Sequence, residues 1–464
     1  MTDEMESKNQ LEIASFEDAK KILEKCKHAN YIIKYLEDLE ANSVVIEKEY
    51  IDKDYMIDFS LFYARSFDKI QKFTTRLHFF TLSKSDLKTK FKKIFKEGNK
   101  AIGNLNKEYL GFVVIKPIKD EKNKNFIGRT VLKTYPEEVR NKSIKRHFLK
   151  IKNEVCLFGV PLEVNSLPYQ AQERGVSACA TVALWVATYP LNKKFDVPIF
   201  SLYEITQKSI SSSFPARSRN FPTSGLNIYQ IIGFINEIGL EKEVINYEGF
   251  NEIPLCEVVR AYINFGLPLI GILELTKRSE RIGQHAIVIS GYEEDENGII
   301  KHLYVHDDQI GPYCKVKPED KEFIKWKYEG SDVWKDYDDV KVDKLIIPLH
   351  EKIRTDFSKI FSNCKMLQQM QQQKYPELKD KEGHLLLTTV QDYKNNLLSR
   401  EIVSGERRDG KEMSKDEILI SNMPRFLWVW RVPRDNKTTR DYIFDATHPI
   451  LTFNIIMIIE YKSE

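Results

Sequence analysis

The stretch QERGVSACATVALWVATYP, Gln172 to Pro190, places one cysteine at the head of an apolar run. SACATVALWVA is apolar on every face, the pattern of a buried helix rather than an amphipathic one. Ser177 can cap that helix, because its hydroxyl can accept from a free backbone N–H. Cys179 then falls in the first turn, where unpaired N–H groups and the helix dipole favour a thiolate. The thiolate is the nucleophilic form, and the N–H of Cys179 would face an oxyanion forming on an attacked carbonyl. A base is needed. His285 stands in RIGQHAIVISGY, at the mouth of a run of β-branched residues that would fix its backbone beside a cleft. The following strand, IKHLYVHDDQIGPY, ends in Asp307 and Asp308 before a turn expected at Gly311-Pro312. A carboxylate there can accept the second ring N–H of His285 and fix its tautomer.

Taken singly, each residue has a plainer role. Free cysteines are commonly core residues, a strand histidine is commonly structural, and paired aspartates before a turn are commonly turn chemistry. Their joint order carries more. Gln172 precedes Cys179 by 7 residues, His285 follows Cys179 by 106, and Asp307 follows His285 by 22. His302 and His306 share an i, i+4 spacing, but a strand context puts them on one face at alternating positions. With no further ligand set in view, no metal and no cofactor is expected.

The surrounding pattern supplies elements to hold these groups. LNIYQIIGFINEIGL and IPLCEVVRAYINFG read as helices, and LPLIGILEL as an apolar strand. The cysteine is thus expected on a helix, and the histidine and aspartate on neighbouring strands. On the N-terminal side, SFEDAKKILEKCKHANYIIKYLEDLEAN has helical spacing with Ser15 as cap, and SKSDLKTKFKKIFKEGNK reads as a basic helix ending at Gly98. SVVIEKEYI, DFSLFYARSF and YLGFVVIKPI are β-rich. On the C-terminal side, DFSKIFSNCKMLQQMQQQKYPELKDKEGH reads as a helix entering a Gln-rich polar linker. Three strand-like runs follow: RFLWVWRVP, DYIFDATH and LTFNIIMIIEY.

The chain has 464 residues, 42% hydrophobic and 30% charged, an ordinary globular composition. Its 71 Lys and Arg nearly cancel its 68 Asp and Glu, leaving +3 and implying no global polyelectrolyte partner. Six scattered cysteines without a CxxC pair argue against a zinc ribbon or a disulfide scaffold. The acidic-polar start lacks a secretory h-region, and the apolar run FNIIMII is far shorter than a membrane span, so a cytoplasmic protein is expected.

The order GLPLI, HAIVISGY, LYVHDD behind a helix-capping cysteine resembles the papain-like cysteine peptidases. It is closest to the compact bacterial branch that includes the bacteriocin-leader (double-glycine) peptidases. The resemblance covers about residues 170–315, roughly a third of the chain. It implies an α+β fold in which a buried helix beginning at the cysteine packs on an antiparallel sheet. A papain-like domain over 156–348 would be flanked by a mixed region over 1–155 and a helix, linker and strand-rich region over 349–464. It further implies Cys179 as nucleophile, His285 as general base and acid, Asp307 as the orienting acid, and Gln172 as oxyanion donor with the Cys179 N–H. The substrate class implied is a peptide or protein amide, without a cofactor.

Three departures stand out. Ala178-Cys179-Ala180 replaces the family's Asp-Cys-Gly. The glutamine lies one residue farther out than usual, which makes Gln170 a competitor. Asp308 stands where a proline is common, and it competes with Asp307. The same triad would serve transglutaminase-, acetyltransferase- or isopeptidase-like transfer, and a dead scaffold in a protein-binding module is a further alternative. The flanks would then bind a regulatory protein partner or cover the cleft, as in a regulated bacterial effector. Basic runs such as RNKSIKRHFLKIK motivate a nucleic-acid partner only weakly, since no recognition motif accompanies them.

Overall fold

The computed structural model describes residues 11–67, 69–138, 143–173, 175, 178–211, 225–247, 253–320, 323–374, 382–434, 437–449 and 455–462. These residues build a mixed helix and sheet fold of the α+β class, in which every ladder between strands is antiparallel. Five strands make an N-terminal sheet: β1 (Glu12–Ser15), β2 (Ser43–Tyr50), β3 (Thr74–Phe80), β4 (Tyr109–Lys119) and β5 (Asn125–Leu132), in that spatial order. Ser15 caps the helix Phe16–Leu23 with a reciprocal capping box to Asp18, as the sequence pattern predicts. The basic helix Lys84–Glu97 ends at Gly98, whose φ of 69° suits glycine.

The run DFSLFYARSF is not a strand. It lies in the helix Lys53–Leu61 and a 3₁₀ turn at Tyr63–Arg65. Asp52 caps this helix by accepting the Tyr55 N–H at 3.0 Å, and buried Asp58 accepts the Tyr203 N–H at 3.0 Å. Local capping and tertiary bonding here outweigh the β preference of the aromatic residues.

The central sheet carries the candidate site. It comprises β6 (Lys145–Phe148), β9 (Glu241–Asn246), β10 (Leu269–Lys277), β11 (Glu280–Glu294), β12 (Ile300–Asp307), β13 (Gly311–Pro318), β14 (Trp326–Tyr328) and β15 (Asp339–Leu349). Their order is β14-β13-β12-β11-β10-β15-β9, and β6 pairs with the far end of β11. Gly291 permits that pairing, because a Cβ there would stand 2.5 Å from the His147 carbonyl oxygen. The turn after β12 occupies residues 308–310, so Gly311 and Pro312 open β13 instead of forming the turn. At Gly311 the Tyr31 ring takes the space of a side chain, 2.3 Å from where a Cβ would be. The hairpin β7 (Ile151–Leu157) and β8 (Val160–Ser166) pairs only with itself.

The helix Cys179–Phe195 is buried on all sides from Ala180 through Leu191, as its uniformly apolar sequence predicts, and it packs on β10 and β11. One hydrophobic core runs from this helix into the N-terminal sheet and the C-terminal strands. Those strands form a third sheet, in the order β16 (His384–Thr389), β18 (Phe426–Pro433), β19 (Thr438–Asp445), β20 (Ile455–Lys462) and β17 (Ile402–Arg407). The Gln-rich tract belongs to the helix Phe357–Lys374 rather than to a linker. No helix among the described residues is long and apolar enough to cross a membrane.

Candidate active site

Cys179 is the first residue of its helix and is half-buried. The N-cap position belongs to Ala178, in extended conformation and with no side-chain acceptor to offer; Ser177, expected there, lies outside the described residues. The first-turn amides therefore keep their donors toward the cysteine end of the helix. His285 is the sixth residue of β11 rather than its first, because Glu280 to Gly283 already pair with β10. Asp307 closes β12, one strand over.

These three residues meet. His285 Nε2 donates to Asp307 Oδ1 at 3.0 Å, and Cys179 is near enough to the same imidazole to help hold its proton. With Nε2 committed to the acid, Nδ1 is the ring nitrogen left for the sulfur. Asp307 has full company: Oδ1 also accepts the Gln309 N–H at 3.0 Å, and Oδ2 accepts the Trp334 indole N–H at 3.1 Å. The Trp334 ring lies over His285 at 4.8 Å. Exposure is 2% at His285 and 0% at Asp307, so their electrostatic coupling is little screened.

Burial would push the His285 imidazole down, but the Asp307 charge and hydrogen bond, then Cys179, hold it well above its ordinary value. Burial likewise works to raise Asp307, and the imidazole outweighs it and keeps that acid low. Asp308 is different. It is 3% exposed, and its Oδ1 is 3.5 Å from His285 Nε2. Neither carboxyl oxygen has a hydrogen-bond partner among the described residues. Burial, opposed by His285 and reinforced by Asp307, pushes Asp308 up to about 7. It lines a cavity of about 10 Å³ with Cys179, Tyr169 and His306, room for about one water. The acid bonded to the His285 ring is thus Asp307, with Asp308 adjacent and holding its proton more readily.

Of the two glutamines, Gln172 is half-buried and gives its backbone N–H to the Asp308 carbonyl at 3.4 Å. Gln170 is buried, and its amide nitrogen has no partner among the described residues. His302 and His306 do not share a ligand. His302 Nδ1 meets Glu293 at 2.9 Å, while His306 is set between Ser290 Oγ at 3.0 Å and the Leu167 carbonyl at 3.1 Å. Burial lowers His306 to about 4, so it sits neutral beneath the loop that leads to Cys179. Among the described residues, the grouping close enough to hold a cation is His285, Asp307 and Asp308, with ligand atoms within 4.8 Å. An ion there would have to break the His285–Asp307 bond.

Sequence reasoning passed over the residues that brace this site from the N-terminal sheet. Tyr169 exchanges two backbone bonds with Thr130 of β5, at 2.7 and 2.8 Å. Lys116 of β4 donates to Glu173 at 3.0 Å, and Tyr63 donates to the same carboxylate at 2.8 Å. Lys116 is 2% exposed and Glu173 1%, six residues ahead of the cysteine. Asp54 accepts from Trp185 at 3.2 Å and Tyr189 at 3.1 Å, both on the cysteine helix. A tryptophan in the polar run GSDVWKDYD was the available signal for Trp334; no signal marked Lys116, which reads as an outward strand position. Compared with known proteins, the chain matches no family model and no curated protein.

Proposed function

We propose that the chain is a papain-like thiol peptidase acting on a peptide or protein amide. The observation that carries this reading is a buried imidazole shared between an acid on one ring nitrogen and a cysteine at a helix start. In the proposed mechanism, His285 Nδ1 takes the Cys179 thiol proton and Asp307 stabilises the imidazolium. The sulfur attacks the amide carbonyl, and the oxyanion faces the Cys179 N–H and a glutamine amide of the 170–172 loop. The imidazolium protonates the departing amine as the C–N bond breaks. Water, deprotonated by His285, then hydrolyses the thioester and returns the thiol.

Site-resolved iodoacetamide labelling tests the reading. Cys179 is expected to alkylate ahead of the other five cysteines, and His285→Ala to slow it. Hydrolysis of a peptide pool is expected to fall by roughly 10⁴-fold or more in Cys179→Ala. Unchanged hydrolysis in that variant, or labelling of Cys179 only on unfolding, removes the proposal.

A further inference from the structure

A groove passes beside the candidate site, and its wall comes from the N-terminal region. One part is a cavity of about 940 Å³ between residues His28–Lys34 and the segment 326–340; it includes Gln309 and Trp334, which both bond to Asp307. The other part is a cavity of about 610 Å³ under the turn joining β4 to β5, reaching Glu173 and Gly175 ahead of Cys179. His28 and Lys124 line both, so the two parts adjoin there. The Asp307 charge is felt at His28, which places that residue near the imidazole–acid pair.

The charge of the smaller part is lopsided. Lys27, Lys119, Lys122 and Lys124 line it. None has an ion-pair partner among the described residues; Lys27 lies 5.5 Å from the Phe126 ring. Three acids line it too: Glu173 is paired with Lys116, Asp120 Oδ1 accepts at 2.9 Å from the N–H groups of both Lys122 and Lys124, and exposed Glu121 has a partner of its own, which leaves the lysines in excess. Ile70, Ile118 and Phe126 supply an apolar floor. Lysine ammoniums around apolar side chains suit a polypeptide carrying carboxylates next to a hydrophobic residue.

We propose that this groove binds an acidic, apolar-anchored stretch of polypeptide, and that Lys119, Lys122 and Lys124 determine the specificity of the site for it. The proposal rests on the peptidase reading for its role as substrate selection, but binding can be measured without turnover.

The test uses full-length Cys179→Ala protein and a fluorescein-labelled peptide rich in glutamate and leucine, read by fluorescence anisotropy against its glutamine counterpart. The glutamate peptide is expected to bind more tightly, and Lys119→Glu with Lys122→Glu to weaken it about tenfold. Added salt should weaken it too, since these ammoniums are exposed. Equal binding of the two peptides overturns the proposal, as does tighter binding of a labelled single-stranded oligonucleotide. In the active protein, the double charge reversal should raise KM for glutamate-rich peptides with kcat unchanged. Turnover without acidic preference sinks this proposal alone; acidic-peptide binding without any turnover sinks the peptidase reading alone.

Discussion

The N-terminal and C-terminal sheets both flank the central sheet, but they join it by different means. The N-terminal region reaches the loop before Cys179 and the cysteine helix with buried polar groups: Lys116 of β4 on Glu173, and Asp54 of the helix Lys53–Leu61 on Trp185 and Tyr189. The C-terminal strands meet the centre mainly through aromatic packing and bonds to backbone, such as Trp428 against Tyr262 at 5.9 Å and the Trp428 indole on the Thr355 carbonyl at 2.9 Å, with one half-buried ion pair, His384 on Glu257 at 3.0 Å. Their own buried carboxylate, Asp441, looks inward to Arg431, Tyr393 and Tyr461 of the same region. Burying an ion pair is a poor way to gain stability, because desolvation offsets most of the attraction. It does hold geometry, since misplacing either partner strands a charge. On the proposed peptidase reading, the N-terminal region would position the reacting groups and the C-terminal sheet would shield the core.

The sharpest break of that contrast is Lys116→Met. Stranding Glu173 should cost about 3–5 kcal/mol in denaturant unfolding and slow iodoacetamide labelling of Cys179. Lys116→Met with Glu173→Gln should recover most of the stability; a full recovery of the single variant's labelling rate without the second change would deny Glu173 a positioning role. Asp441→Asn is the counterpart. It should cost about 1–3 kcal/mol while leaving the Cys179 labelling rate unchanged, and a slowed rate would erase the distinction between the two sheets.

Next in size is a pH effect. Burial raises Asp58 to about 8, and Asp308 titrates at about 7. Both hold protons more tightly folded than in an unfolded chain, where an aspartate titrates near ~3.9. Their contribution is therefore most favourable at low pH and is lost as pH rises from about 4 toward 8. Stability followed by urea unfolding across that window should decline, and Asp58→Asn or Asp308→Asn should each flatten the decline. The smallest change is Trp334→Phe, which keeps a ring over His285 but removes the indole donor to Asp307. Freed of that donor, Asp307 should bind its proton more readily, and turnover should fall by about tenfold or less. A shift of the acid limb of the pH–rate profile would reveal it.

The site was more legible in the sequence than its supports. Cys179, His285 and Asp307 showed themselves because a helix and two strands with strong periodicity present them, and periodicity is a local property. The cysteine helix also declared its burial by having no polar face. DFSLFYARSF misled because its helix is capped upstream at Asp52 and its Asp58 accepts the Tyr203 N–H, 145 residues away, which no window reads. Lys116 and Glu173 were invisible for a related reason: a charged residue is expected at the surface, and only the three-dimensional pairing makes each tolerable inside. What sets Asp307 apart from Asp308 is the Gln309 amide and the Trp334 indole, both beyond the strand that Asp307 closes.

The short strand β6 carries one more consequence. Residues 145–148 complete the edge of β11 at Gly291–Glu294, across an interval of nearly 150 residues. A fragment starting at residue 156 would leave those N–H and C=O groups open to water. Bare strand rims recruit copies of themselves, so the excised piece should precipitate or form oligomers long before its chemistry could be assayed.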